Sequence, residues 1–175
     1  MLKRLFKPRP AVAAGRELYA VTVAQARTPG LYADLRVADS PEGRFELYSL
    51  HVYLLLERLK GQGDRASEIA QALFDTYVSA LDHALRELGV GDLSVGKKMR
   101  KLGEAFYGRV KSLEEALASL PDRTDLEAVL ARTVYEGGAA ENAPALADYV
   151  LAQRQALATQ DVDAICSGAV AWAKP

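Results

Sequence analysis

GVGDLSVGKKMRKL, residues 89–102, carries from Gly91 onward the G-x-x-x-x-G-K spacing of a phosphate-binding loop. Its reading decides the fold. A real phosphate loop needs a strand before it, a Lys that reaches the phosphates and a Ser or Thr hydroxyl on magnesium. The preceding LDHALREL, residues 81–88, instead has the apolar spacing of an amphipathic helix, and the hydroxyl position is Lys98. An ammonium cannot ligate a cation. The glycines therefore read as a joint between two helices, followed by a helix with a cationic face.

Working outward, apolar residues recur at spacings of three and four, and strict period-two alternation is absent. Downstream, a helix over about 95–117 buries Val95, Met99, Leu102, Phe106, Val110 and Leu113, with Asp92 or Ser94 as its cap. Thr124 with Glu127 forms a capping box for a helix ending near Tyr135. A further helix follows Pro144, and a last one follows Asp161 with Val162, Ile165, Cys166, Ala169 and Val170 inward. Upstream, a helix over about 12–27 stops before Pro29-Gly30, and the short element LYADLRV leads to Ser40-Pro41. That pair signals an N-cap with proline at the first helical position.

The helix near residues 41–60 is apolar on two sides: Phe45, Tyr48, Val52, Leu55, Leu56 and Leu59 on one, Leu47, Leu50 and Leu54 opposite. Such a helix packs between neighbours. Its polar stripe, Arg44, His51 and Arg58, could register in a hairpin with Asp82, Asp75 and Glu68, or both stripes could face solvent. The expected fold is all-α, a single-domain bundle of six or seven helices with this central buried helix. Residues 1–11 form a basic N-terminal arm and 12–175 one helical domain.

Composition narrows the function. The chain has 175 residues, enough for one core without staples, and a net charge of −1, which offers no global argument for nucleic acid or membrane. Its single cysteine, Cys166, excludes an internal disulfide and fits a reducing, intracellular setting. No apolar run reaches the roughly 18 residues of a bilayer-spanning helix. His51 and His83, the only histidines, lack a ligand neighbour three or four residues on, and no E-x-x-H pair occurs. No catalytic constellation and no cofactor or metal site is predicted. From chemistry alone the chain reads as a non-enzymatic binding protein.

Charge is segregated. Lys3, Arg4, Lys7, Arg9 and Arg16 occur without an acid in residues 1–16, and Lys97, Lys98, Arg100, Lys101, Arg109 and Lys111 face only Glu104 in residues 96–111. On a helical wheel Lys97, Lys101 and Lys111 lie opposite the buried stripe, flanked by Lys98, Arg100, Arg109 and Tyr107. This surface is either a solvated face or a docking surface for something acidic or for a membrane-associated client.

Two blocks, SPEGRFELYSLHVYLLLERL (40–59) and LFDTYVSALDHALRELGVGDLSVGKKMRKLGEAFYGR (73–109), together with ELYAVTVAQAR (17–27) and LYADLRV (31–37), resemble the ubiquinol–cytochrome c chaperone family. The specific elements are G-R-F at 43–45, L-H-V at 50–52, the L-R-E-x-G-V-G-D turn at 85–92 and F-Y-G-R at 106–109. The resemblance covers about residues 17–135, and beyond about Asn142 no function is inherited. It implies a chaperone that holds newly made cytochrome b during assembly of ubiquinol–cytochrome c reductase, respiratory complex III. The chain starts almost at the core, so a bacterial, cytoplasmic form is expected, with peripheral contact to the inner membrane through residues 1–9 or a disordered tail there. A small partner protein or the ribosome stays open as a further partner, and DNA is not expected. Expected client or partner contacts are Lys97, Lys98, Arg100, Lys101, Tyr107 and Arg109, with Arg44 and His51 in second rank. Gly89, Gly91 and Asp92 would set the angle at which the lysines are presented. The alternative is a ribosome- or RNA-associated adaptor using the same basic face, which would bind with steep salt dependence.

Overall fold

Helix α3 (Pro41–Leu59) is the centre of the computed structural model, which describes residues 10–136 and 138–175. Ser40 caps it, accepting from the Gly43 N–H at 3.1 Å, and Pro41 occupies the first turn where its missing N–H leaves nothing unpaired. Both of its apolar sides are covered: Leu47, Leu50 and Leu54 on one, Val52, Leu55 and Leu59 on the other. Each fully buried leucine contributes about 1.5–3 kcal/mol, so this two-sided burial anchors the core.

Around it stand α1 (Pro10–Ala26), the short α2 (Pro29–Ala33), α4 (Asp64–Glu87), α5 (Asp92–Ala118), α6 (Thr124–Thr133), α7 (Ala143–Ala158) and α8 (Val162–Cys166). A single 3-10 turn, Ala140–Asn142, precedes α7. The described residues form eight α-helices and no strand, an all-α domain as expected. The count exceeds six or seven because α2 begins at Pro29 and runs into the element at 31–37. The first helix starts at Pro10, two residues inside the expected arm, and the rest of that arm lies outside the described residues.

Helix α1 packs on α4 and α3, α3 is flanked by α4 and α7, and α6 bridges α5 to α7. The main core joins Leu18, Leu31, Leu47, Leu54, Leu73 and Leu130, among others, across these elements. A smaller cluster of Val52, Tyr77 and Phe106 ties α3, α4 and α5, with the Ser49 and Tyr77 hydroxyls 2.7 Å apart beside it.

Gly43 explains the G-R-F motif. A Cβ there would fall well inside contact distance of the Ala38 carbonyl oxygen, where the chain turns back over the start of α3. Gly43→Ala is expected to destabilise by about 1–3 kcal/mol through overpacking, although alanine alone favours a helix by about 1 kcal/mol. A drop in urea midpoint checks this; a rise would mean that residues 36–39 move aside freely.

Several local expectations need correction. Thr124 is the first residue of α6, not its cap, and its N–H is taken by the Asp122 carboxylate at 2.9 Å. The last helix stops at Cys166 because Gly168 turns into positive φ (88°), so Ala169 and Val170 lie beyond it. Beyond it the chain runs across α7 on two glutamines. Gln160 pairs with the N–H and C=O of Ala171 at 2.7 and 2.8 Å, and Gln153 with those of Ala173 at 2.9 and 2.7 Å. Two side-chain amides thus supply the pairing that a neighbouring strand would give.

Candidate functional site

The chain from α4 to α5 makes a helical hairpin that extends beyond the core. Burial on α4 ends at Tyr77 and resumes on α5 at Phe106; between them only Val95 is buried. Gly89 provides the turn with φ +82°, a conformation that L side chains rarely adopt. Gly91 does not share that role: at φ −69° and ψ 156° it is the extended cap residue of α5, with open space around it. Asp92 is the first residue of α5 and makes no capping bond; its carboxylate pairs with Arg86, which also holds Asp82 at 2.6 Å. The angle of the hairpin is therefore set by Gly89 and the Arg86 pairings, and the expectation for Gly91 is corrected.

On α5, Lys97, Lys98 and Lys101 are exposed and, among the described residues, have no carboxylate within 4.0 Å. Arg100 is exposed and stands 3.8 Å from Glu104. Tyr107 is 62% exposed, its ring 6.0 Å from Phe74 and 5.9 Å from Phe106. Beside it runs a groove of about 360 Å³ between α3, α4 and α5, with Leu56, Phe74, Phe106, Tyr107 and Val110 in its walls. Tyr53 also lines it; this residue is buried, its hydroxyl has no hydrogen-bond partner, and burial pushes its pKa up. Lysines on α5, with the aromatic groove that α5 shares with α3 and α4 further along, can hold a segment that is apolar in the middle and acidic at an end.

Arg109, Arg44 and His51 do not join this surface. Arg109 turns inward and grips Glu46 of α3 with its Nε at 3.0 and 3.1 Å and its Nη2 at 2.7 Å. That bond raises the guanidinium pKa further, and Glu46 is only 8% exposed. Arg44 sits in the first turn of α3, tied to Asp39 at 2.7 Å, and holds that carboxyl below the usual range. His51, expected as a second-rank contact, is a core residue at 0% exposure. Its ring nitrogens stand 2.7 Å from the Leu47 carbonyl and 2.7 Å from the Tyr149 hydroxyl, and Trp172 packs edge-on at 5.4 Å. A carbonyl only accepts, so Nδ1 carries the proton and Nε2 accepts from Tyr149. The hairpin register with Asp82, Asp75 and Glu68 does not form. Arg58 instead donates to the Leu157 and Gln160 carbonyls at 2.8 Å each, where α7 ends.

A second concavity of about 800 Å³ lies at the end of α3 against α7. Its charges close on themselves: Arg154 forks onto Glu57 at 2.7 and 2.9 Å. Sequence reasoning missed Glu46, Phe74 and Tyr53. A signal existed for Glu46, a carboxylate inside an apolar helix, which stays buried only when paired.

An all-helical domain with a basic and aromatic surface on its α4–α5 hairpin defines the class of all-α bundles. The sequence matches the model of the ubiquinol-cytochrome C chaperone family over residues 33–172, and the chain belongs to that family. Its fold matches the crystal structure of the Cbp3 homologue from Brucella abortus with a TM-score of 0.84 and 36% sequence identity, covering 99% of this chain and 97% of that one. No curated protein matches the sequence. The family match extends the resemblance, which had ended near residue 135, through α7, α8 and the following segment. The structure supplies the reason, since Trp172 covers His51, and Gln153 of α7 and Gln160 just beyond it hold the neighbours of Trp172.

Proposed function

We propose that this protein is a non-enzymatic chaperone that binds newly made cytochrome b during assembly of ubiquinol–cytochrome c reductase, complex III. Membership of the chaperone family carries the reading. The α4–α5 hairpin supports it physically, because it offers exposed lysines and an aromatic groove together. Lys97, Lys98, Arg100 and Lys101 meet acidic or polar loops of the client, and Tyr107 with the groove takes an adjoining apolar segment. Arg109 acts one step back, holding α5 on α3. Arg44 is a contact of second rank, and His51 supports the core behind them. The ribosome- or RNA-adaptor alternative gains no support from the family or structural match. Among the described residues no helix is long and apolar enough to cross a membrane.

The test is capture of cytochrome b from membranes solubilised in mild detergent, comparing wild type with Lys97→Glu/Lys101→Glu at equal helicity. Loss of at least about tenfold in captured client is expected, as reversed charge at two contacts sets like charges together. Client retained would move the contact to another face. No client with wild type would overturn the reading itself.

A further inference from the structure

The far end of the α4–α5 hairpin is capped by apolar side chains. Leu88, which closes α4, is 68% exposed, Leu93 in the first turn of α5 is fully exposed, and Val90 lies half-buried between them. None of the three belongs to either hydrophobic cluster. Behind this cap, at the 1.5 Å rise of a helix, Lys97 stands about 6 Å and Lys101 about 12 Å further along α5 than Leu93. Arg86 holds both Asp82 and Asp92, Arg100 faces Glu104, and Glu87 stands beside His83 at 3.2 Å, so residues 82–104 carry five Lys and Arg against four acids. Of these bases, Lys97, Lys98 and Lys101 have no carboxylate within 4.0 Å among the described residues, and they lie together one to two turns behind the leucines.

We propose that this tip is a lipid-contact site. Leu88, Val90 and Leu93 enter the headgroup region of an anionic bilayer, while Lys97, Lys98 and Lys101 sit at the level of the lipid phosphates. An interface of apolar depth under a charged surface calls for this order, leucines outermost and cations just behind. The occupant is a membrane rather than a folded acidic protein because the apolar residues crown the end of a two-helix projection. A specific protein interface needs about 800 Å² from each partner, which such a tip does not offer, whereas a bilayer accepts a projecting tip. The lysines are shared with the proposed client surface, whereas Leu88, Val90 and Leu93 have no part in it, so the leucine variant separates the two readings. The tip site places membrane contact in the folded domain, where the sequence had suggested residues 1–9.

The test is flotation of the full chain with phosphatidylcholine vesicles, with and without about 30 mol% phosphatidylglycerol, at low and high salt. Binding is expected only with the anionic lipid and is expected to weaken with salt. Leu88→Ser/Leu93→Ser, with unchanged helicity, should lower partitioning at least about tenfold, and Lys97→Gln/Lys98→Gln/Lys101→Gln should remove the anionic preference. Wild type that fails to float, or a leucine variant that floats like wild type, overturns the proposal; the second result would assign attachment to residues 1–9. Client capture in detergent free of anionic lipid is measured in parallel. Vesicle binding lost with capture intact touches this inference alone, and capture lost with vesicle binding intact touches only the proposed function.

Discussion

Arg109→Ala is expected to lower the unfolding free energy by about 3–5 kcal/mol, a large share of the roughly 5–15 kcal/mol that holds a domain folded. The alanine removes a guanidinium that grips Glu46 through two nitrogens, and it leaves that carboxylate 8% exposed in the middle of the central helix. A buried charge without its partner keeps its desolvation cost and loses the attraction that offset it. Arg109→Lys should recover only part of the loss, because an ammonium cannot form the two-pronged contact. Glu46→Leu/Arg109→Met should return close to wild type, since replacing both charges by apolar groups of similar size removes the cost along with the attraction. Urea unfolding of the four proteins reads this directly, with shifted midpoints and an unchanged slope. A loss below about 1 kcal/mol in Arg109→Ala would class the pair with exposed ion pairs. The pair has functional weight too, because it ties the F-Y-G-R block of α5 to the G-R-F-E block of α3. Loosening it would also disturb Tyr107, which is two residues away and set edge-on to Phe106.

This ion pair shows where sequence reading stops. Each helix could be read alone: the two apolar sides of α3, the cap at Ser40, the cap at Asp161 and the failure of the phosphate loop all follow from local spacing. Contacts between helices depend on crossing angles and register, which spacing within one helix does not encode. Arg109 therefore looked like one more member of a basic face, and His51 like one more polar residue on an exposed stripe. The buried partner that reclassifies each lies 63 and 98 residues away in sequence. The C-terminal segment was illegible for a different reason. Glutamine amides holding the backbone of an irregular chain leave no periodic signal, so the apolar spacing of Ala169 and Val170 reads as a continuation of the last helix. What could be read of the site was its exposed part, because lysines without nearby acids need no tertiary partner to be recognised. The groove beside Tyr107 could not be read, since it is made by three helices meeting.

Acidification from pH 7.5 to 5.0 is expected to cost the protein about 2 kcal/mol of stability through His51 alone. Burial pushes the pKa of this imidazole down to about 4, with only the Leu47 carbonyl acting the other way. In the unfolded chain the same group titrates near 6.5. Between those values the unfolded state takes up a proton that the folded state refuses, so stability rises with pH across the window. It is fully present above about pH 6.5 and is lost progressively as pH falls towards 4, by about 1.4 kcal/mol per unit at the steepest. Asp39 and Asp122, whose carboxyls are held low by Arg44 and by the Thr124 N–H, lose their contributions in a separate window below about pH 4. His51→Gln keeps a donor for Leu47 and an acceptor for Tyr149 without a titrating ring. Its unfolding midpoints should be lower at neutral pH but flatter between 7.5 and 5.0. The sole tryptophan of the chain, Trp172, packs on this imidazole at 5.4 Å, so its fluorescence reports on the site itself. If His51 protonates only on unfolding, Trp172 emission in the native baseline stays constant down to about pH 5 while the midpoint falls. A native baseline that titrates near 6.5 would instead mean that the C-terminal segment opens and lets water reach the ring before the domain unfolds.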